Sequence, residues 1–218
     1  MTYLTSNELV TEAIKISKLN TQYLSGGFGC RLGKDWYDKS YSWNKSNKAL
    51  LESKYNTNPI TYGFDCVCLF KSIIWNFQGN PDKAYGGAVY DKSTDYSVSQ
   101  MMSTCAIMDM DFDNIEAGEL VFLGKSHMGI YIGNGEVIEA TPAWECKVQR
   151  TLLPSRNTTN YEKLPVRKWD CHGKCAWIDY ESSPYKMAYE KLSQKYGELE
   201  AEIVRLNGQI NKIKEILK

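Results

Sequence analysis

Residues 62–75 read Tyr62-Gly-Phe-Asp65-Cys66-Val-Cys68-Leu-Phe-Lys-Ser-Ile-Ile-Trp75, and this stretch decides the fold. Asp65 suits an N-cap, because its carboxylate can accept a hydrogen bond from the unpaired N–H groups of a first helical turn. Val67, Phe70, Ile74 and Phe77 recur at helical spacing, with Ile73 beside them, so the segment predicts a buried helix that begins at Cys66. The helix dipole favours an anion at that place. This predicts a lowered thiol pKa and an accumulated thiolate, the nucleophilic form. On this stretch alone a buried structural thiol is the plainer alternative.

Downstream residues change the weighing. Gly118-Glu-Leu-Val-Phe-Leu123 reads as a strand entering from a turn, and His127-Met-Gly-Ile-Tyr-Ile-Gly-Asn-Gly-Glu-Val-Ile-Glu-Ala140 as two apolar strands joined at Asn134-Gly135. Asp65-Cys-Val-Cys-Leu69, Gly118-Glu-Leu-Val121 and His127-Met-Gly-Ile-Tyr-Ile-Gly-Asn-Gly135, in that order, resemble the motifs of the NlpC/P60 family of cell-wall peptidases. There they run Asp-Cys-Ser-Gly-Leu, Gly-Asp-Leu-Val and His-Val-Gly-Ile-Tyr-Ile-Gly-Asn-Gly. The resemblance extends from about Gln22 to Tyr180 and is greatest to the catalytic domains of phage endolysins and prophage peptidoglycan hydrolases. Their closing pattern is matched by Lys168-Trp169, His172-Gly-Lys174 and Trp177-Ile-Asp-Tyr180.

The resemblance implies an α+β fold: a papain-like core in which a helix-borne cysteine packs on an antiparallel sheet that carries the histidine. It also implies roles. Cys66 is the nucleophile, and His127 is the base and later the acid that protonates the leaving amine. The chain has only two histidines, so one falling within the motif is informative. The family's third polar residue, usually histidine, falls here on Glu139, whose carboxylate can orient the imidazole and stabilise imidazolium beside thiolate. Tyr23, in Tyr23-Leu-Ser-Gly-Gly-Phe-Gly29, matches the tyrosine that lies beside the nucleophile. With Asp65 and Trp144 it makes up the expected substrate contacts. The family's Ser-Gly after the cysteine is replaced by Val67-Cys68. Cys68 does not follow the motif's aspartate and is not taken as the nucleophile.

The hairpin geometry bears on Glu139. With a plain two-residue turn at Asn134-Gly135, Ile130 would face Glu139, and Glu139 would point away from His127. With a three-residue loop Gly133-Asn-Gly135, Gly129 faces Glu139 and the carboxylate shares the face of His127. The three-residue loop is expected, with Gly135 at positive φ.

The 218 residues, 43% of them hydrophobic, can build one full core plus an appendage. Lys+Arg and Asp+Glu both number 26, and the basic residues are not clustered. Neither nucleic acid nor membrane is therefore expected as a partner, and no apolar run reaches the length of a membrane span. Glu8 and Glu12 stand where a signal peptide needs a basic end and an apolar stretch. The expectation is synthesis in the host bacterial cytoplasm and action on the wall after release, as for an endolysin. Seven cysteines without an export signal predict reduced thiols. Cys171-His172 and Cys175 offer three metal ligands with no second cluster, so neither metal nor cofactor is expected, and His172 is expected on the surface.

Along the chain, Ser6 is read as the N-cap of an amphipathic helix carrying Leu9, Ala13, Ile16 and Leu19. Residues 32–61 read as an insertion whose Trp36, Tyr37, Tyr41 and Trp43 could line a groove or simply pack, with a short helix near Ala49. Ser97 to Met108 reads as a helix and Asp109 to Asp113 as a solvated turn. Val148 to Leu153 and Leu164 to Trp169 read as strands, and Asn157 to Tyr161 as a turn. The catalytic domain is expected to span 1–182.

Residues 183–218 differ in composition. Leu192, Tyr196, Leu199, Ile203, Leu206, Ile210, Ile213 and Leu217 alternate four and three apart, and Tyr185 and Tyr189 could extend them. This predicts a coiled-coil helix through which residues 185–218 self-associate. Ile at most of one seam position and Leu at most of the other favours a parallel dimer. The function expected is hydrolysis of an amide bond in the peptidoglycan stem peptide, most often the D-γ-glutamyl–diamino-acid bond in this family. An N-acetylmuramoyl-L-alanine amidase uses the same chemistry on a neighbouring bond. A wall-binding or assembly module with a vestigial triad is the alternative from another class.

Overall fold

The computed structural model describes residues 4–33, 44–154, 163–180 and 184–216, with side chains in the last segment for Leu192 and residues 194–210. Two compact units meet between Tyr180 and Glu181. Trp36, Tyr37, Tyr41, Trp43, the Asn157–Tyr161 turn, and the side chains of Tyr185, Tyr189, Ile213 and Leu217 lie outside the described residues.

The first unit runs β1 (Leu4–Thr5), α1 (Ser6–Ser17), β2 (Thr21–Tyr23), β3 (Phe28–Arg31), α2 (Lys48–Glu52), β4 (Tyr62–Phe64), α3 (Cys66–Ile74), α4 (Val98–Ser103), β5 (Cys105–Asp109), β6 (Leu120–Leu123), β7 (His127–Gly133), β8 (Glu136–Ala140), β9 (Val148–Leu152), β10 (Cys171–Cys175) and β11 (Ile178–Asp179). The second unit is α5 (Pro184–Ile216). Six strands form an antiparallel sheet in the order β5-β10-β6-β7-β8-β9. A smaller sheet, β2-β4-β3, pairs β2 parallel to β4 and so brings Tyr23 opposite Phe64.

α3 reads as a near-continuous apolar run because it is covered on every side: Cys66 through Ile73 are all buried. Phe70, fully buried, packs in one cluster with Leu9, Ala13 and Ile16 of α1 and with Leu120, Phe122, Met128, Ile130, Ile138 and Val148 of the sheet. Burying a phenylalanine of this kind stabilises the fold by roughly 1.5–3 kcal/mol. Along β7, Met128 and Ile130 face this cluster while Tyr131 joins a second cluster on the opposite face with Val121, Val137, Leu153 and Trp169. By alternation His127 and Gly129 share the face of Tyr131.

Four local expectations are corrected. α1 is capped by Thr5, not Ser6: Thr5 Oγ1 accepts from the Glu8 N–H (3.2 Å) and Glu8 Oε2 accepts from the Thr5 N–H (2.8 Å). A capping box needs its carboxylate three residues after the cap, which selects Thr5. The 97–108 helix ends at Ser103, and Cys105–Asp109 becomes an edge strand hydrogen-bonded to β10. Of Leu164–Trp169, only an isolated bridge of Val166 with Leu152 remains. His172, expected on the surface, is 4% exposed. Its strand lies between β5 and β6, and its ring sits between Glu119 Oε2 (2.5 Å from Nδ1) and the Asp111 carbonyl (2.9 Å from Nε2).

Candidate functional site

Two backbone features aim the histidine strand. Asn134 and Gly135 both adopt positive φ (53° and 76°), the sign pattern of a type I′ two-residue turn, and Gly133 pairs with Glu136 across it. The expected three-residue loop is therefore replaced by the shorter turn. One step further, however, Tyr131 pairs with Val137 and Ile130 with Ile138. β7 thus carries one extra residue at Ile132–Gly133, a bulge that shifts the register by one. Gly129 then stands opposite Glu139, and the carboxylate comes to the His127 face after all. Glu139 Oε2 lies 2.6 Å from His127 Nε2.

Glu139 is fully buried and has three side-chain partners. Besides His127, its Oε1 accepts from Thr151 Oγ1 (2.8 Å) and from Arg167 Nε (2.8 Å), and the Arg167 guanidinium also reaches Thr141 Oγ1 (3.1 Å). Burial pushes the Glu139 carboxyl up. Hydrogen bonds from His127 and Arg167, together with their charges, outweigh burial and leave its pKa below the usual carboxylate value. An ionised carboxylate accepts only, so His127 Nε2 carries the proton and Nδ1 is the ring nitrogen with a free lone pair.

The imidazole is clamped on its flat side as well. Trp169 stacks on it, with centroids 5.5 Å apart and planes 9° from parallel. Gly129 makes the room. A Cβ there would lie 2.6 Å from Val137 Cγ1 and 3.1 Å from Trp169 Cη2, so any side chain would push the indole off the strand.

Cys66 reaches the same strand end from the helix side. Its Sγ is 3.9 Å from the Ser126 carbonyl, so the sulfur lies against the backbone next to His127. Asp65 is the N-cap: its Oδ1 accepts from the Cys68 N–H and its Oδ2 from the Gly26 N–H, each at 2.7 Å. Both oxygens are thereby committed to backbone. In place of the expected substrate contact, Asp65 fastens the Gly26 turn to the start of the helix.

The expected depression of the Cys66 thiol is also corrected. Burial, with the Asp65 charge adding to it, pushes the thiol up to about 12, against the amides of Met128, Val67 and Cys66. A helix end is worth about 0.3–1 kcal/mol, less than one pH unit, and burial exceeds it. The thiolate therefore needs a proton acceptor and not merely a favourable dipole.

The remaining site residues frame this centre. Tyr23 pairs through β2 with Phe64, two residues before Cys66. Burial, then the charges of Cys66 and Asp65, raise its hydroxyl to about 12, so it remains a phenol at neutral pH. The loop 141–147 is stapled to β2, since the Cys146 carbonyl accepts from the Tyr23 N–H (2.8 Å) and from Gln22 Nε2 (2.5 Å). At the loop's tip Trp144, 51% exposed, lies with its ring 4.6 Å from the Arg167 guanidinium. Among the described residues no cluster of His, Cys, Asp and Glu could hold a metal ion. Arg167, Thr151 and the stacking of Trp169 were not legible in the sequence. The signal that could have found Arg167 is Glu139 itself, because a buried carboxylate requires a cation.

A cysteine on a buried helix, set beside the sheet end that carries a histidine held by a carboxylate, is the arrangement of a papain-like cysteine peptidase. The sequence pattern of the NlpC/P60 family matches residues 38–163, more than half of the chain, and the protein belongs to that family. The family comprises cysteine peptidases that act on peptidoglycan. The chain is also similar to the P60 domain of an antigen, MAP1204, from M. avium subspecies paratuberculosis (18% identity, 80% of this chain and 98% of that one, TM-score 0.39). Further similar structures are the NlpC/p60 domain of the peptidoglycan hydrolase SagA (16% identity, 78% and 99%, TM-score 0.36) and the peptidoglycan hydrolase RipB from Mycobacterium tuberculosis (16% identity, 80% and 67%, TM-score 0.37). No curated protein matches the chain.

Proposed function

We propose that this protein is an endolysin-type peptidoglycan hydrolase that cuts an amide bond of the stem peptide, the D-γ-glutamyl–diamino-acid bond before the N-acetylmuramoyl-L-alanine bond. The observation that carries the reading is the placement of Cys66 Sγ against the Ser126 carbonyl, one residue before His127 and its hydrogen-bonded Glu139. His127 Nδ1 takes the thiol proton as the sulfur attacks the scissile carbonyl. The tetrahedral oxyanion is stabilised by amides at the start of α3, including that of Cys66. The imidazolium then gives its proton to the leaving amine, and a thioester remains on Cys66. Water, deprotonated by His127, attacks the thioester and regenerates the thiol. Tyr23 and Trp144 contact the stem peptide. The enzyme acts on the wall after release from the cytoplasm in which it is made.

α5 supplies self-association. Its seam residues Leu192, Tyr196, Leu199, Ile203, Leu206 and Ile210 are 43–68% exposed in the helix taken by itself. In a parallel, in-register pair Lys195 of one copy faces Glu200 of the other, twice by symmetry, and no like charges meet at the flanking positions. A second copy of this chain is therefore the occupant of the seam. Joining two catalytic domains raises avidity for a repetitive wall without new contacts.

The test is release of new amines from purified peptidoglycan by the full chain and by Cys66→Ala, with mass spectrometry of the fragments. Activity lost in the variant supports the thiol mechanism, and the fragment masses separate endopeptidase from amidase. No release from walls of several chemotypes would overturn the proposal. Sedimentation velocity of the full chain and of Leu199→Asp/Ile203→Asp tests the seam: a monomer at every concentration for the unaltered chain would refute it.

A further inference from the structure

Glu139 presents an electrostatic problem. It is an anion with no exposed surface, and its partner His127 needs Nδ1 free if it is to accept a proton. A buried carboxylate without a standing positive charge would either become protonated or draw a proton onto the imidazole. Either result spoils the base. In the first case Nε2 loses its acceptor, and in the second Nδ1 is already occupied. Thr151 donates a hydrogen bond to Glu139 but brings no charge.

Arg167 answers the requirement through a set of contacts used by no step of the mechanism. Its Nε donates to Glu139 Oε1, the oxygen facing away from His127, and a second guanidinium nitrogen donates to Thr141 at the root of the 141–147 loop. Its guanidinium carbon lies 4.6 Å from the centre of the Trp144 ring and 5.6 Å from that of Trp169, the same indole that stacks on His127. One side chain thus touches the carboxylate that orients the base, the tryptophan that clamps the base, and the exposed tryptophan at the mouth of the site. Lysine could supply the charge but not the fork or the stacking plane.

We propose that Arg167 is a positioning residue: it holds Glu139 as an anion aimed at His127 and ties that alignment to the exposed face of Trp144. The proposal rests on Cys66, His127 and Glu139 being the working trio. The other titratable or charged groups around them are Asp65 and Cys68 at the start of α3, Tyr23 on β2, Lys125 and Asp170 beside the β6–β7 turn, and Cys146, Glu145 and Lys147 in the 141–147 loop, the last two paired with each other. None of these touches Glu139 in the described contacts, so the acid side of the pH profile should answer to Arg167. Removing a fixed positive charge makes the cluster hold its proton more tightly. The pH at which Cys66 becomes reactive then rises.

The experiment follows alkylation of Cys66 by iodoacetamide in the full chain across pH, read by peptide mass spectrometry, beside amine release from walls over the same range. The proteins compared are the unaltered chain, Arg167→Gln and Arg167→Lys. The expected result for Arg167→Gln is an acid limb moved upward by about one pH unit in both assays. Arg167→Lys should return the limb to within a few tenths of a unit while remaining slower. An unmoved limb in Arg167→Gln would overturn the proposal, because a residue that only packs would lower the rate without moving it.

Should Arg167→Gln fail to fold, Glu139→Gln and the double variant Glu139→Gln/Arg167→Gln take its place, since the double leaves no stranded buried charge. The double should alkylate at a plateau rate equal to that of Glu139→Gln alone, and a further loss would overturn the proposal. Alkylation needs no wall. A shifted limb with inert walls would therefore sink the proposed function and keep the positioning role, while cut walls with an unmoved limb would do the reverse.

Discussion

Replacing His127 by alanine separates two origins of thiolate at Cys66. Burial pushes this thiol up to about 12. At pH 7 such a thiol is ionised to roughly one part in 10⁵, whereas an ordinary exposed cysteine is ionised to about 3%. In His127→Ala, iodoacetamide should therefore alkylate Cys66 on the order of 10³-fold more slowly than an exposed thiol, before any steric loss. The rate should rise about tenfold per pH unit, without a plateau, from about pH 7 to pH 10. The unaltered chain should instead reach a plateau at lower pH, because the imidazole takes the thiol proton as the sulfur attacks. Peptide mass spectrometry distinguishes Cys66 from Cys68, which burial also holds well above its usual range, and circular dichroism confirms that the variant folds. Alkylation of His127→Ala at pH 7 within tenfold of the unaltered chain, with a midpoint below about 9, would mean that the helix end makes the thiolate by itself. The reasoning from burial would then be refuted.

Three other outcomes follow from the geometry. Gly129→Ala forces a Cβ to within 2.6 Å of Val137 and 3.1 Å of Trp169. Overpacking of this kind costs about 1–3 kcal/mol, so the melting temperature should fall by roughly 3–10 °C and wall hydrolysis should fall with it. His172 donates through Nε2 to the Asp111 carbonyl, so Glu119→Gln can still donate to Nδ1 of a neutral ring, whereas Glu119→Ala strands it. Urea denaturation should show a loss below about 1 kcal/mol for Gln and about 3–5 kcal/mol for Ala, with Cys66 alkylation little changed in both. Glu139, with its pKa depressed in the fold, contributes stability that is fully present above the usual carboxylate value and is lost as pH falls through the depressed one. The stability gap between the unaltered chain and Glu139→Gln, measured by urea denaturation, should therefore shrink on acidification.

The sequence disclosed what is local. Asp65 and Cys66 at a helix start, and His127 within its strand motif, are set by neighbours a few residues away, and the fold class followed from them. Reading failed where distant partners decide. Cys105 and Met108 continue the helical spacing begun by Met101 and Met102, yet the open edge of β10 takes residues 105–109 as a strand. His172 looks like a surface residue until β10 is placed between two others. The dipole at Cys66 is a local quantity, whereas the burial that overrides it comes from the packed sheet and α1. Arg167 sits 28 residues from Glu139, and nothing in its own surroundings in the chain marks it.

The register of β7 against β8 makes this hairpin a parity check on insertions and deletions. With the turn and bulge kept, one residue added to β7 between Ile130 and Tyr131 would set Ile130 opposite Glu139 and still leave two strands and a sound turn. His127 and Glu139 would nevertheless come to lie on opposite sheet faces. Removing Ile132 itself would only heal the bulge and keep Gly129 opposite Glu139. The length of β7 is thus set by a requirement that lies at the far end of the hairpin from the turn.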